Sequence, residues 1–556
     1  MENKHEAEEN VHLFVLIHGL WGSPNHLQTV EKAVVNSLAE VSEERIVTLK
    51  PSSFRFWKTY DGIPRCASKV IADLFYEIET LKKNHKSKVS KISIVGYSLG
   101  GLISRYMIGV LYELGFFDEV QPVFFSTFAT PHIGVRFFKK GLFDKTANIV
   151  GRYLFGSTGL ELFLGDSAHL LEEMATPGSR YFEGLKLFEM RLLLANIKND
   201  RSVAFFTSYI TEYSPFDQMD SININYLKDL PSSKVGSATV WPKFVDLRQS
   251  HRITDVKLRL GNKQEATSFI RSNKLVRWTL LLSATVVLLP VYIPLIISLS
   301  LYVSGYSMVK IRCLSPLDLL GHWEAVKEAV FHGGTIDLKH AEQGESRRQE
   351  RLHLARHESF KGDTSNLTEN VMENMLLAED KLANDQTNLV EENEEDENEE
   401  GNNTENVDDR DSEDDDNNES ANDTDTAISK QEESPLLLDK DGQRKSVFSS
   451  LFKKKPLVIL TAENDKAIEE HLAQLKSYVP EEYPLFLEDV KLPVLDTQKR
   501  MIDNLNSLDW VKIAVYHDLF NAHDGIVARR GAKTNPKGTC TIYLWASILR
   551  QHLKDR

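Results

Sequence analysis

Apolar residues along the first 130 positions fall into two alternating patterns. "HLFVLIHG" from His12, "RIVTLK", "KISIVG" and "PVFFSTFA" are short, nearly continuous apolar runs, the composition of strands buried on both faces. Between them, "LQTVEKAVVNSLAE", "ASKVIADLFYEIETLKK" and "GLISRYMIGVLYELG" place apolar residues at helical spacing. This alternation predicts an α/β fold, a mostly parallel, doubly wound sheet with helices on both faces. "MRLLLANI" and "WVKIAVYH" add two late strands, and "IYLWASILRQHL" a closing helix. From Ile133 to Gly184 the chain is apolar but irregular and reads as an insertion; after about Tyr209 the pattern degrades. No internal repeat is visible.

Two stretches break with this plan. The 32 residues from Trp278 to Val309 carry no charge and have Pro290 and Pro294 near their middle. Residues from about Leu338 to Asp441 are polar, acidic and asparagine-rich, a composition that cannot bury enough apolar area to fold alone. Order is expected to resume near "PLVILT" or later.

Charge changes the picture little. The net charge of −15 is concentrated between Glu391 and Asp416, where 16 acidic residues face one base, Arg410. The remainder is near neutral, so no nucleic-acid partner is expected. The apolar fraction, 41%, is ample for a core. Cys66, Cys313 and Cys540 are too few and too far apart for a metal site or disulfide framework, which favours a reducing compartment. "MENKHEAEEN" has no signal-peptide character, and the sequons at Asn366 and Asn422 read as chance matches.

Candidate chemistry starts at "IVGYSLGG". Gly96-Tyr97-Ser98-Leu99-Gly100 is a G-x-S-x-G lying between an apolar strand and an amphipathic helix, the setting of a nucleophile elbow. An ordinary glycine-rich strand–helix turn would share the spacing. A serine nucleophile needs a base, and the base an orienting carboxylate. Asp200, just past "MRLLLANI", is the leading acid; Asp166 and Asp217 follow no strand. His517 and His523 both follow the last strand. His517, at the strand end, suits a packed structural role, and His523, in the loop, is the favoured base. Two backbone N–H groups should form the oxyanion hole. Leu99 follows the serine, and Leu20 lies in the loop "LIHGLWG" after the first strand, where Gly19 allows close approach and His18 orients the loop.

"HLFVLIHGLWGS", "IVGYSLGGLISRY", "FATPHIGV", "GSTGLELFLGD" and "NDRSV" together resemble a family of fungal and plant serine esterases within the α/β-hydrolases, long catalogued only as a domain of unknown function. The resemblance covers about residues 10–215 and, more loosely, the segment around His523. The family includes a phospholipase of yeast lipid droplets, so the resemblance implies lipase or phospholipase activity. It also supports Ser98, Asp200 and His523 as a triad. The acidic insertion is not part of the family pattern.

With that triad the apolar run acquires a constraint. Ser98 and Asp200 precede it and His523 follows it, so a single span would separate base from nucleophile. Two spans need roughly 40 residues, more than the run contains. A re-entrant hairpin fits, with arms of about a dozen residues, each about 18 Å long as helix. Arg271, Lys274 and Arg277 before the run and Lys310 and Arg312 after it suggest that both ends face the cytosol; a pair of buried core helices is the alternative. "RKSVFSSLFKKK" could touch anionic lipid or be a solvated basic stretch.

The expected organisation is therefore an α/β-hydrolase core in two parts, 10–215 and 442–556, with a lid-like insertion at about 133–184. Residues 216–337 form an insertion carrying the membrane hairpin 278–309, and 338–441 a disordered acidic segment. The expected function is cleavage of acyl esters of glycerophospholipids or acylglycerols at the cytosolic face of a lipid droplet or endoplasmic reticulum membrane, without metal or organic cofactor. A thioesterase or protein deacylase using the same residues, and a non-catalytic membrane scaffold, are the rival readings.

Overall fold

A computed structural model describes residues 8–253 apart from 139–140 and 236–237, then 293–313, 317–332, and 462–555 apart from 520 and 533. Six strands, β1 (Glu9–Ile17), β2 (Arg45–Leu49), β3 (Ser87–Tyr97), β4 (Gln121–Phe128), β5 (Met190–Asn196) and β6 (Trp510–Val515), form one sheet in the order β6-β5-β4-β3-β1-β2. Every neighbouring pair is parallel. The main helices are α1 (Gln28–Leu38), α2 (Ile63–His85), α3 (Leu99–Glu113), α4 (Leu142–Leu154), α5 (Gly156–Leu162), α6 (Arg180–Lys186), α7 (Ile293–Cys313) and α8 (Pro536–Lys554). A parallel sheet with such helices is consistent with an α/β-hydrolase.

The continuous apolar strands follow from burial on two sides. Along β1, Val11, Leu13, Val15 and Ile17 enter a core shared with α2 and α3, while Phe14 and Leu16 enter the opposite core with α1 and α8. After β1 the chain moves outward to β2; after β3 it moves the other way, through β4 and β5 to β6. The loops leaving β1 and β3 therefore diverge to opposite faces. Between the carboxyl ends of these two strands they leave a crevice, the usual ligand position in an open parallel sheet.

Residues 133–184 are more regular than the sequence suggests. They contain α4, α5, a turn of helix at Leu170–Glu173, and α6. Positive φ at Gly134, Gly156 and Gly178 interrupts the chain there, and after the 13 residues of α4 no helix of the segment exceeds seven residues.

The first part of the apolar run, up to residue 292, lies outside the described residues, as do the acidic segment, "PLVILT" and "RKSVFSSLFKKK". From Ile293 the run forms α7, a helix of 21 residues that continues past the uncharged stretch to Cys313, with Pro294 in its first turn. Among the described residues no helix is long and apolar enough to cross a membrane. The orientation of α7 is the reverse of an ordinary surface helix. Ser300, Ser304 and Ser307 are buried, whereas Tyr302, Tyr306 and Val309 are 72%, 61% and 64% exposed. The serines meet polar backbone. Ser300 and Ser304 donate to the Leu154 and Tyr153 carbonyls at the end of α4, at 2.5 and 2.7 Å, satisfying acceptors that a helix terminus leaves without partners. Ser307 donates to Asp61 at 2.6 Å.

Candidate active site

Ser98 sits between β3 and α3 with φ 56° and ψ −127°, a strained conformation for a residue with a side chain. The surroundings impose it. The Ser98 N–H donates to the Phe128 carbonyl of β4 at 2.9 Å, and α3 starts at once, crossing β1 at van der Waals limits. A Cβ on Gly100 would lie 2.1 Å from the Ile17 carbonyl oxygen, and one on Gly96 2.4 Å from the Gly101 Cα. The elbow thus turns the hydroxyl toward the crevice at the carboxyl edge of the sheet.

His523 and Asp200 reach the same place from the loops after β6 and β5. His523 Nε2 is 3.0 Å from Ser98 Oγ, and Nδ1 is 3.0 Å from Asp200 Oδ2. Since the carboxylate can only accept, Nδ1 carries the proton and Nε2 is free to accept from the serine hydroxyl. The remaining capacity of Asp200 is filled by the Ser202 and Val203 N–H groups on Oδ1 and by Asn196 Nδ2 on Oδ2. Burial favours neutral forms of both groups. For His523, the charge and hydrogen bond of Asp200 outweigh burial and raise its pKa above the ordinary value. For Asp200, burial is likewise outweighed, by His523 and the N–H donors, and its pKa is lowered. The pair is therefore built to stabilise an imidazolium.

The third wall is the loop after β1. The Gly22 N–H closes a turn on the Gly19 carbonyl at 3.1 Å, with Leu20 and Trp21 at its centre. A Cβ on Gly19 would lie 2.7 Å from Ser98 Cβ, so only glycine lets this backbone come so near. No hydrogen bond among the described residues engages the Leu20 N–H, and the Leu99 N–H, at the start of α3, has no intrahelical acceptor. His18 does not join the row. It is buried, stacks on Phe54 at 4.1 Å and donates from Nδ1 to the Gly19 carbonyl at 3.1 Å; burial lowers its pKa to about 4.

The other candidates lie elsewhere. His517 is buried between Asn196 Oδ1 at 3.1 Å and Thr541 Oγ1 at 3.0 Å, and burial lowers its pKa to about 3. Asp166 receives the Leu170 N–H, and Asp217 lies beside Ser214. Two supporting residues escape sequence reasoning. Tyr97 donates its hydroxyl to the His523 carbonyl at 3.1 Å and packs its ring on the imidazole. Asn196 bridges Asp200 and the Ala522 carbonyl. The position of Tyr97 inside the G-x-S-x-G was a usable signal for the first; Asn196, at a strand end, offered none. Among the described residues no cluster of His, Cys, Asp or Glu is placed to hold a metal.

Residues 7–211 match the model of a family described as "Putative serine esterase (DUF676)". This segment is similar to that family. The matched segment contains Ser98 and Asp200, while His523 lies far beyond it in sequence. Two curated relatives are similar to the same region. "Putative lipase C4A8.10" of Schizosaccharomyces pombe is 30% identical over 36% of this chain and 26% of its own length. "Putative lipase ROG1" of Saccharomyces cerevisiae is 30% identical over 36% and 29%. The chain spans less than a third of the length of these relatives. Among solved structures, a carboxyl esterase of Tuber melanosporum matches with a TM-score of 0.22 and 15% identity over 33% of this chain and 57% of that one.

Proposed function

We propose that the protein is a serine lipase or phospholipase that cleaves acyl esters of glycerolipids at a membrane or lipid-droplet surface. The observation that carries this reading is the unbroken row Ser98–His523–Asp200, with both steps at 3.0 Å, in the crevice of an esterase domain. In the reaction, Ser98 Oγ attacks the ester carbonyl as His523 Nε2 takes its proton. The Leu20 and Leu99 N–H groups stabilise the oxyanion. His523 then protonates the leaving alcohol, and water, activated by the same imidazole, frees the acyl chain. Asp200 holds the tautomer and the developing positive charge.

Two features favour a lipid substrate over a small polar ester. A cavity of about 320 Å³ lies along α4, lined by Phe137, Val150, Leu154, Phe155 and Phe163 and almost wholly apolar, in the size range of small-molecule sites. The insertion at 133–184 would act as lid and acyl-chain wall. The outward apolar face of α7 supports contact with a lipid surface on the cytosolic side. In this reading the hydrolase core comprises 10–215 and 442–556.

Product analysis of purified protein on mixed micelles of phosphatidylcholine and of diacylglycerol tests the proposal. Wild type should release fatty acid, and Ser98→Ala should lower the rate by at least about 10³-fold. Equal release by both proteins would overturn the enzyme reading. Deacylation of acyl-proteins with no action on either lipid would overturn the glycerolipid assignment.

A further inference from the structure

We propose that Tyr60 is a positioning residue for ester cleavage: acting through Trp21, it holds the Leu20-bearing turn in its oxyanion-binding form, and Ser300 of α7 holds Tyr60. This rests on the esterase reading above and adds residues to its machinery.

The turn Gly19–Gly22 needs support because of Trp21. Its φ is +55°, the sign a type II turn requires at its third position and normally meets with glycine. A bulky side chain there is a true outlier that persists only where neighbours over-determine it. Trp21 has two such anchors. Its backbone N–H donates to Thr59 Oγ1 at 3.2 Å, and its indole Nε1–H donates to Tyr60 Oη at 2.7 Å. Letting Trp21 leave positive φ would turn over the Leu20–Trp21 peptide, which carries the Leu20 carbonyl and the Trp21 N–H. It would also shift the adjoining Gly19–Leu20 peptide that bears the Leu20 N–H, so the anchors on Trp21 hold the donor beside Ser98.

Tyr60 is itself fully buried and fastened at its far end. Ser300 Oγ already donates to the Leu154 carbonyl, so toward Tyr60, at 3.2 Å, it must accept. The hydrogen bonds therefore run in one direction, from the Trp21 indole to the Tyr60 hydroxyl, to Ser300, to the end of α4. Burial raises the Tyr60 pKa, so the phenol keeps the proton this relay needs. The backbone follows the same route. A Cβ on Gly156 would lie 2.5 Å from the Tyr60 carbonyl, and the Gly156 N–H donates to Ser304 of α7 at 2.8 Å. Segments hundreds of residues apart in sequence thus meet at one side chain, and removing its hydroxyl would free Trp21 without touching Ser98, His523 or Asp200.

The test uses the full-length protein in detergent with p-nitrophenyl butyrate, a soluble ester that needs no lipid surface. Tyr60→Phe should lower kcat about 10-fold, part of the 10²–10³-fold that loss of an oxyanion donor costs. KM should stay within about twofold, and the pH midpoint of kcat/KM, set by His523 and Asp200, should not move. Ser300→Ala, which leaves the rings packed, should lower kcat in the same direction but less. The discriminating variant is Trp21→Gly. Glycine accepts positive φ without anchors, so Tyr60→Phe should cost nothing further in that background. Unchanged kcat in Tyr60→Phe, or effects of Tyr60→Phe and Trp21→Gly that multiply independently, would overturn the proposal while leaving the esterase reading intact. A wild type that does not hydrolyse the ester would overturn both.

Discussion

At the scale of single residues, His523 is governed by two opposed effects, burial and the Asp200 carboxylate, and the carboxylate wins. The base must be neutral to act, so kcat/KM should fall as pH drops through a midpoint above the ordinary histidine value of about 6.5. Asp200→Asn removes the opposing effect and leaves burial. Its midpoint should therefore move to lower pH while kcat drops about 10⁴-fold; an unmoved midpoint would count against the pairing. The linkage sign is consistent. A raised folded-state pKa means that His523 contributes stability below about pH 6.5 and loses it as pH rises through the folded value. His517 is the opposite case. With its pKa lowered to about 3, it contributes stability above about pH 6.5 that disappears as pH falls toward 3. His517→Ala should cost about 1–3 kcal/mol in a denaturant titration, through the orphaned Asn196 and Thr541 groups. It should retain far more esterase activity than His523→Ala.

At the scale of elements, the crossing of β1 and α3 is among the most demanding contacts. A Cβ on Gly100 would meet backbone rather than a side chain that could swing away. Gly100→Ala should therefore lower Tm by several degrees or prevent folding, and thermal unfolding at wild-type Tm would refute this account. The inner strands were readable as apolar runs because a parallel sheet covered on both faces needs no polar alternation, whereas β2, at the edge, is only partly buried. Of the helices of 133–184, α5 and α6 are too short for their period to show, but α4, with 13 residues, is long enough and went unread. The α7 segment was readable as apolar but not as oriented. Ser300, Ser304 and Ser307 recur at helical spacing, the one clue that its polar stripe could turn inward. Hydrophobicity alone points the wrong way there, because the serines are buried to satisfy the end of α4.

At the scale of the molecule, α7 bonds to the end of α4 through two serines and turns an apolar face outward. Tyr302→Glu combined with Tyr306→Glu changes side chains that touch mainly solvent. In a flotation assay this pair should weaken binding to phospholipid vesicles at least about tenfold and leave Tm unchanged. Undiminished binding would remove α7 from the lipid contact. Deleting Trp278–Val309 outright should do more than detach the protein, because it removes three serines that bond to α4 and Asp61.

The sequence by itself determined the strand–helix order, the elbow at Ser98 and the pool of candidate acids and bases, because these depend on local periodicity and on residue types that few other roles demand. Tertiary structure decided which histidine reaches Ser98, that Asn196 and Tyr97 brace the row, that Trp21 is held at positive φ by Tyr60, and which face of α7 looks outward. Each of these depends on contacts between residues up to hundreds of positions apart, and such contacts leave no periodic trace in the chain.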